Sequence, residues 1–229
     1  DGVVLNATEI VSESAVGIII IPGLTVPRES YYKLLIGLSD FNAMVFDLRG
    51  QSFSEGKLDA GACINDINSV GKAFKKRKNL TFLVGIGHSF GGLSLLRSSM
   101  ESDHPYDLRI SLATPVDLAK ITGRIPYTVG IIAVYLHNMF RALRYPALRD
   151  EIVRQYEHFN PILFFNSPRV VALNIKDPHA FNNMRRDAPK LNDILQDIKS
   201  PSYLLYGGND NRLGIAGNLK GDYERLARQ

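Results

Sequence analysis

Apolar runs and their spacing divide the chain into alternating strands and helices. Val16–Ile21 (VGIIII) is a continuous stretch of mostly β-branched residues, stopped by Pro22-Gly23. That is the pattern of a strand buried on both faces of a sheet. A helix is predicted over 29–38. Ala43–Leu48 (AMVFDL) reads as a second buried strand, ended by the turn-rich Arg49-Gly50-Gln51-Ser52. Ile64, Ile67, Val70 and Phe74 recur at helical spacing and predict a helix. Leu80–Ile86 (LTFLVGI) is a third strand, Phe90–Met100 a helix and Leu108–Ala113 a fourth strand. This alternation predicts an α/β fold with a mostly parallel sheet covered on both faces.

The alternation lapses between 116 and 189. Aromatic, Leu and Arg residues dominate there, punctuated by Pro126, Pro146, Pro161, Pro168 and Pro178. Several short helices forming a cap over the sheet are expected. Ser202–Tyr206 (SYLLY) restores a buried strand, Gly207-Gly208 breaks it, and a last helix is predicted from about 220. The division that follows is a core of 1–115 and 190–229 carrying a helical cap insertion at 116–189. No internal repeat or low-complexity segment interrupts it.

Composition narrows the classes. Of 229 residues, 45% are hydrophobic and 22% charged, a globular balance that sets disorder and collagen-like structure aside. The net charge of +4 comes largely from Lys75-Lys76-Arg77-Lys78 and from arginines between 141 and 186. The run is expected to close a helix, where cations suit the negative dipole end; no nucleic-acid partner is expected, because no basic face with interleaved aromatics is visible. Cys63 is the single cysteine, so an internal disulfide is impossible and a reducing, cytoplasmic setting is expected. Cys63 itself falls in a helical stretch and reads as packing. The most apolar stretch, Ile125–Phe140, contains His137 and falls short of the ~20 residues of a membrane span; no stable membrane insertion is expected. The chain opens on Asp1 rather than Met, so upstream residues are expected. No secretory signal is visible at that start.

The chemistry lies at Gly87-His88-Ser89-Phe90-Gly91, a G-x-S-x-G pentapeptide. Its context gives it weight: an apolar strand precedes it and a helix follows. A nucleophile on so sharp a turn sits in a strained backbone, and neighbouring chain passes close by. Positions two residues to either side must therefore lack side chains, which Gly87 and Gly91 satisfy, with Gly92 adding room. Ser89 would then point out at the carboxyl end of the sheet, where α/β proteins place ligands. The bland alternative is a glycine-rich turn with an incidental serine. A phosphate-cradling loop is disfavoured, because no Gly-Lys-Ser/Thr follows.

Across nearly its whole length the chain resembles the α/β-hydrolase superfamily, and within it the capped esterases and monoacylglycerol lipase-like lysophospholipases. Asp1-Gly2-Val3-Val4-Leu5 is similar to the DG…L opening of many members. Ile21-Pro22-Gly23-Leu24 stands where the family carries His-Gly. Asp47-Leu48-Arg49-Gly50-Gln51-Ser52-Phe53-Ser54-Glu55-Gly56 resembles the D-x-R-G-x-G-x-S-x-G loop, with Ser52 at a usual glycine. The resemblance implies a serine hydrolase with Ser89 as nucleophile. Its oxyanion hole would use two backbone N–H groups, that of Phe90 and, from the loop after VGIIII, that of Leu24. Pro22 replaces the usual His without removing a backbone donor.

The triad acid should follow a late strand. Asp210, in Tyr206-Gly207-Gly208-Asn209-Asp210, matches the family's G-x-x-D. It would orient the His and stabilise the imidazolium; the alternative is an ordinary turn aspartate. The family's His should lie beyond a further helix and strand, and none of the five histidines stands there. His88 sits in the elbow, His104 after the elbow helix, and His137 and His158 in the cap. His179 precedes the acid, the wrong order. Either the natural chain continues past Gln229 and supplies the base, or the protein lacks one. The first is the expectation, because a sheet ending at SYLLY would leave an exposed apolar edge.

The resemblance implies hydrolysis of carboxylic esters with no metal or organic cofactor. Tyr127, Val129, Ile131, Ile132, Val134, Tyr135, Leu136, Met139 and Phe140 make the cap apolar. That would suit a small-molecule ester with a hydrophobic acyl group, although the same residues could simply pack the cap's own core. A peptidase or thioesterase on this fold, or a non-catalytic binding protein, stays open. Dehalogenase and most epoxide hydrolase chemistry is disfavoured, because those relatives carry Asp where Ser89 stands.

Overall fold

The computed structural model describes residues 2–24, 26–115, 117, 187–198 and 200–205. The proposed cap and Asp210 lie outside the described residues, the cap but for its edges at 117 and 187–189. The described elements are strand β1 (Ala7–Ile10), β2 (Val16–Ile21), a 3-10 turn (Arg28–Tyr31), helix α1 (Tyr32–Gly37), β3 (Asn42–Phe46), α2 (Ala60–Arg77), β4 (Phe82–His88), α3 (Phe90–Ser98), β5 (Leu108–Leu112), α4 (Leu191–Ile194) with a 3-10 turn (Leu195–Asp197), and β6 (Ser202–Leu205). They form one sheet in the order β1-β3-β2-β4-β5-β6. Every neighbouring pair is parallel except β1 with β3. A mostly parallel, doubly covered α/β sheet is thus what the alternation predicted.

The burial pattern explains why VGIIII is apolar at every position. Ile19 and Ile21 face α2 and α3, packing with Phe74, Ile67, Leu83, Phe90, Leu95 and Tyr106. Ile18 and Ile20 face the other side with Leu35, Val45, Val84 and Ile86. Leu93 and Leu96 on α3 extend the core to Leu191 and Ile194. Cys63 is wholly buried in the first of these clusters, and burial pushes its thiol up to about 12. It is a packing residue, as expected.

Several boundaries differ from the pattern. The predicted helix at 29–38 is split between a 3-10 turn and α1. The third strand is two residues later than predicted and reaches His88, so the turn at Ser89 follows it with no spacer. β1 has no clear alternation and was not predicted; it adds antiparallel pairing to β3, Ala7 opposite Phe46 through Ile10 opposite Ala43. The basic run does close a helix. Lys75, Lys76 and Arg77 occupy the last turn of α2; Lys75 pairs with Asp107 at 2.7 Å, Lys78 with Glu9 at 2.6 Å, and Arg77 also with Glu9. Among the described residues no helix is long and apolar enough to cross a membrane.

Candidate active site

Ser89 stands between β4 and α3, at the carboxyl end of the central strands. Its backbone is held at φ 52°, ψ −121°, a conformation costing an L-residue on the order of 1–3 kcal/mol. The surroundings enforce it. Its N–H donates to the Leu112 carbonyl of β5 at 2.8 Å, and its own carbonyl accepts from Gly92 and Leu93 at 3.0 and 3.1 Å. The Ser89 hydroxyl makes no capping bond to its helix, although serine is a favoured cap.

The glycines do what the spacing predicted. A Cβ on Gly87 would lie 2.5 Å from Gly92 Cα and 2.7 Å from the Gly91 oxygen. A Cβ on Gly91 would press into the carbonyls of Ile21 and Pro22, and one on Gly92 into the hydroxyls of Thr114 and Ser111. The elbow is therefore packed backbone to backbone against the end of β2. Gly23 completes the contact from the other side. A Cβ there would meet His88 Nδ1 at 2.9 Å and Ser89 Cβ at 3.2 Å, so the loop after β2 lies directly against Ser89.

The two proposed oxyanion donors fall beside this contact. Phe90 is the first residue of α3 and is fully buried; at that position its N–H has no acceptor within the helix. Leu24 follows Gly23 and packs, half-buried, on the core cluster that includes Phe90. Asp210, the proposed acid, lies outside the described residues, as do His137, His158 and His179. His104 belongs to the loop entering β5, at the opposite end of the sheet from Ser89. Among the described residues no three His, Cys, Asp or Glu side chains gather as a metal site requires.

Two features of the site were missed in the sequence, the bond of His88 and the part of Tyr31. His88 does not stand idle in the elbow: its Nδ1 is 2.7 Å from the Tyr31 hydroxyl, and the rings meet edge to face at 5.9 Å. The Tyr31 oxygen also accepts the Gly23 N–H at 3.0 Å. Burial pushes the Tyr31 phenol up to about 12, so it keeps its proton. No sequence motif flags Tyr31; only the fold brings it to residues 23 and 88.

The D-x-R-G-like loop was read in the sequence, but its partners Arg28 and Asp66 were not. Asp47 is almost wholly buried and takes the Arg28 backbone N–H at 2.9 Å and the Arg28 guanidinium on its other oxygen. Burial raises the Asp47 carboxyl above its ordinary value, against the pull of Arg28. Arg49 grips Asp66 of α2 through two bonds of 2.6 Å, the planar fork that arginine forms with a carboxylate. Ser52, at the family's usual glycine, adopts φ 46°, the left-handed backbone that explains the glycine preference. The bonds of Asp47 and Arg49 tie the 3-10 turn and α2 to the loop that follows β3.

No protein-family model and no curated protein sequence matches the chain. Solved structures do. The chain is similar to an α/β hydrolase from Sphaerobacter thermophilus, at a TM-score of 0.63 and 15% identity over 99% of this chain and 85% of that one. It is similar to an N-formylmaleamic acid deformylase from Pseudomonas putida, at 0.60 and 17% over 91% and 79%. A lipase-esterase related protein from Clostridium acetobutylicum matches at 0.55 and 15% over 98% of each chain. The chain has the α/β-hydrolase fold, as the resemblance implied.

Proposed function

We propose that the protein is a serine hydrolase that cleaves carboxylic esters through an acyl-enzyme on Ser89. The observation that carries this reading is the elbow itself: a serine at φ 52°, ψ −121° between strand and helix, with its hydroxyl uncommitted to the helix and the loop after β2 pressed against it. Strain of this size is kept where it does a job. The similar structures include a deformylase, an enol-lactonase and a lipase-esterase related protein, which supports an ester-like substrate.

In the proposed cycle Ser89 Oγ attacks the ester carbonyl while a histidine base takes its proton. The carbonyl oxygen becomes an oxyanion between the N–H groups of Phe90 and Leu24, each worth a few kcal/mol of barrier. The C–O bond to the alcohol breaks and the histidine returns its proton to the leaving oxygen. Water, deprotonated by the same base, then releases the acid and restores Ser89. Asp210 holds the histidine tautomer. The apolar composition of 116–189 suits a hydrophobic acyl group, as in the monoacylglycerol lipase-like branch. The cycle calls on no metal or organic cofactor.

The test is a panel of p-nitrophenyl esters of rising chain length, with thioester, lactone and aminopeptidase substrates beside it, run on the full-length protein. Ester turnover rising with acyl length is the expected result. Turnover confined to the peptide or thioester substrates would overturn ester hydrolysis and leave the fold unaffected.

A further inference from the structure

We infer that Tyr31 is a positioning residue for the oxyanion hole, acting through Gly23; the inference rests on the reading of Ser89 as nucleophile. Gly23 immediately precedes Leu24, the proposed donor. The direction of the Leu24 N–H is set by the torsions about the Gly23 Cα, and glycine leaves those torsions unusually free. Three contacts remove that freedom. The Gly23 N–H is tied to the Tyr31 hydroxyl at 3.0 Å, while the space beside its Cα is closed by His88 and Ser89, which a Cβ there would meet. The following turn is closed by a Val26 N–H bond to the Gly23 carbonyl at 3.2 Å.

Tyr31 is itself held. Its hydroxyl, already accepting from Gly23, also shares a hydrogen bond with His88 Nδ1 at 2.7 Å. The 3-10 turn that carries Tyr31 is bolted to the buried Asp47 through Arg28, and Arg28 Nε donates to Thr8 of β1 at 3.1 Å. One hydroxyl thus joins the loop that carries one oxyanion donor to the residue preceding the nucleophile. The spacing between Leu24 and Ser89 is set by that bridge, which a glycine loop could not maintain alone. Misplacement by an ångström at such a donor costs catalysis heavily, so losing the bridge should slow acylation while substrate binding is untouched.

The experiment is Tyr31→Phe in the full-length protein, which removes only the hydroxyl. Ester turnover, the melting temperature and the affinity of a trifluoromethyl ketone inhibitor are measured, together with wild-type labelling by a fluorophosphonate. The ketone adduct places an alkoxide where the oxyanion develops. The expected result is kcat lower by about tenfold with KM unchanged, and ketone affinity weaker by the same factor in a protein that melts as a folded unit. Tyr31→Phe with wild-type kcat and ketone affinity, in a wild type that labels at Ser89, would overturn the inference alone. Equal losses in kcat and in melting stability with unchanged ketone affinity would also overturn it. A wild type that fails to label would overturn the nucleophile reading and this inference together.

Discussion

Replacing Gly91 with alanine puts a methyl group where the first turn of α3 meets the end of β2. Its Cβ would lie 2.9 Å from the Ile21 carbonyl carbon and nearer still to the Ile21 and Pro22 oxygens. Carbon contacts are comfortable at about 3.5 Å or more, so elbow and loop must separate by on the order of 1 Å. The obstruction is backbone on both sides, and no flexible side chain can swing away. Overpacking of this kind costs about 1–3 kcal/mol, and a 1 Å shift between the proposed nucleophile and its proposed oxyanion donor costs roughly 100-fold in rate. Gly91→Ala should therefore melt lower by several degrees while hydrolysing esters about 100-fold more slowly. Gly37→Ala is the control. A Cβ there meets nothing within 4 Å, and alanine should stabilise that helical position by about 0.5–1 kcal/mol. Thermal melts and p-nitrophenyl ester kinetics on both variants give the comparison. Wild-type activity in Gly91→Ala would refute the close packing of loop on elbow.

Other variants probe the scaffold. Asn79 follows α2 at φ 50°, with its N–H on the Lys76 carbonyl and the Leu80 N–H on that of Lys75, a glycine-favouring helix end. Asn79→Gly should raise stability by about 0.5 kcal/mol in a urea titration, and a loss would contradict the left-handed assignment. Burial alone would raise the Glu9 carboxyl, yet the bonds from Lys78 and Arg77 hold it below its ordinary value. Its contribution, at most about 1 kcal/mol, is therefore present above pH ~4 and is lost as pH falls through the depressed folded value. Glu9→Gln should destabilise at pH 7 and match wild type in strong acid; a gap that widened with acid would reverse the sign. Arg109 is wholly buried on β5; its Nη1 donates to Ser200, and its Nε and Nη2 have no acceptor among the described residues. Burial pulls its guanidinium down to about 10. Arg109→Met should melt at or above the wild-type temperature, and a fall of many degrees would mean that the cation is matched.

What could be read in advance and what could not divides by the range of the interaction. VGIIII, LTFLVGI and the glycines around Ser89 carry their meaning within a few residues, because a doubly buried strand and a tight turn restrict each position separately. The elbow was legible for that reason. β1 was not: an edge strand paired on one side needs no apolar alternation, and Ala7–Ile10 has little. Tyr31, His88 and Gly23 converge from three elements, and Asp47 with Arg28 from two, so no local spacing marks them. The basic run was legible as a helix end, but its partners Glu9 and Asp107 were not, since they come from β1 and from the loop before β5.

The central claim is that Ser89 is the nucleophile. Its most direct test is intact mass spectrometry of the full-length protein after treatment with a fluorophosphonate, beside Ser89→Ala. One adduct, mapped to the peptide containing Ser89 and absent from the alanine variant, is the expected result. No adduct, or an adduct that persists in Ser89→Ala, would contradict it.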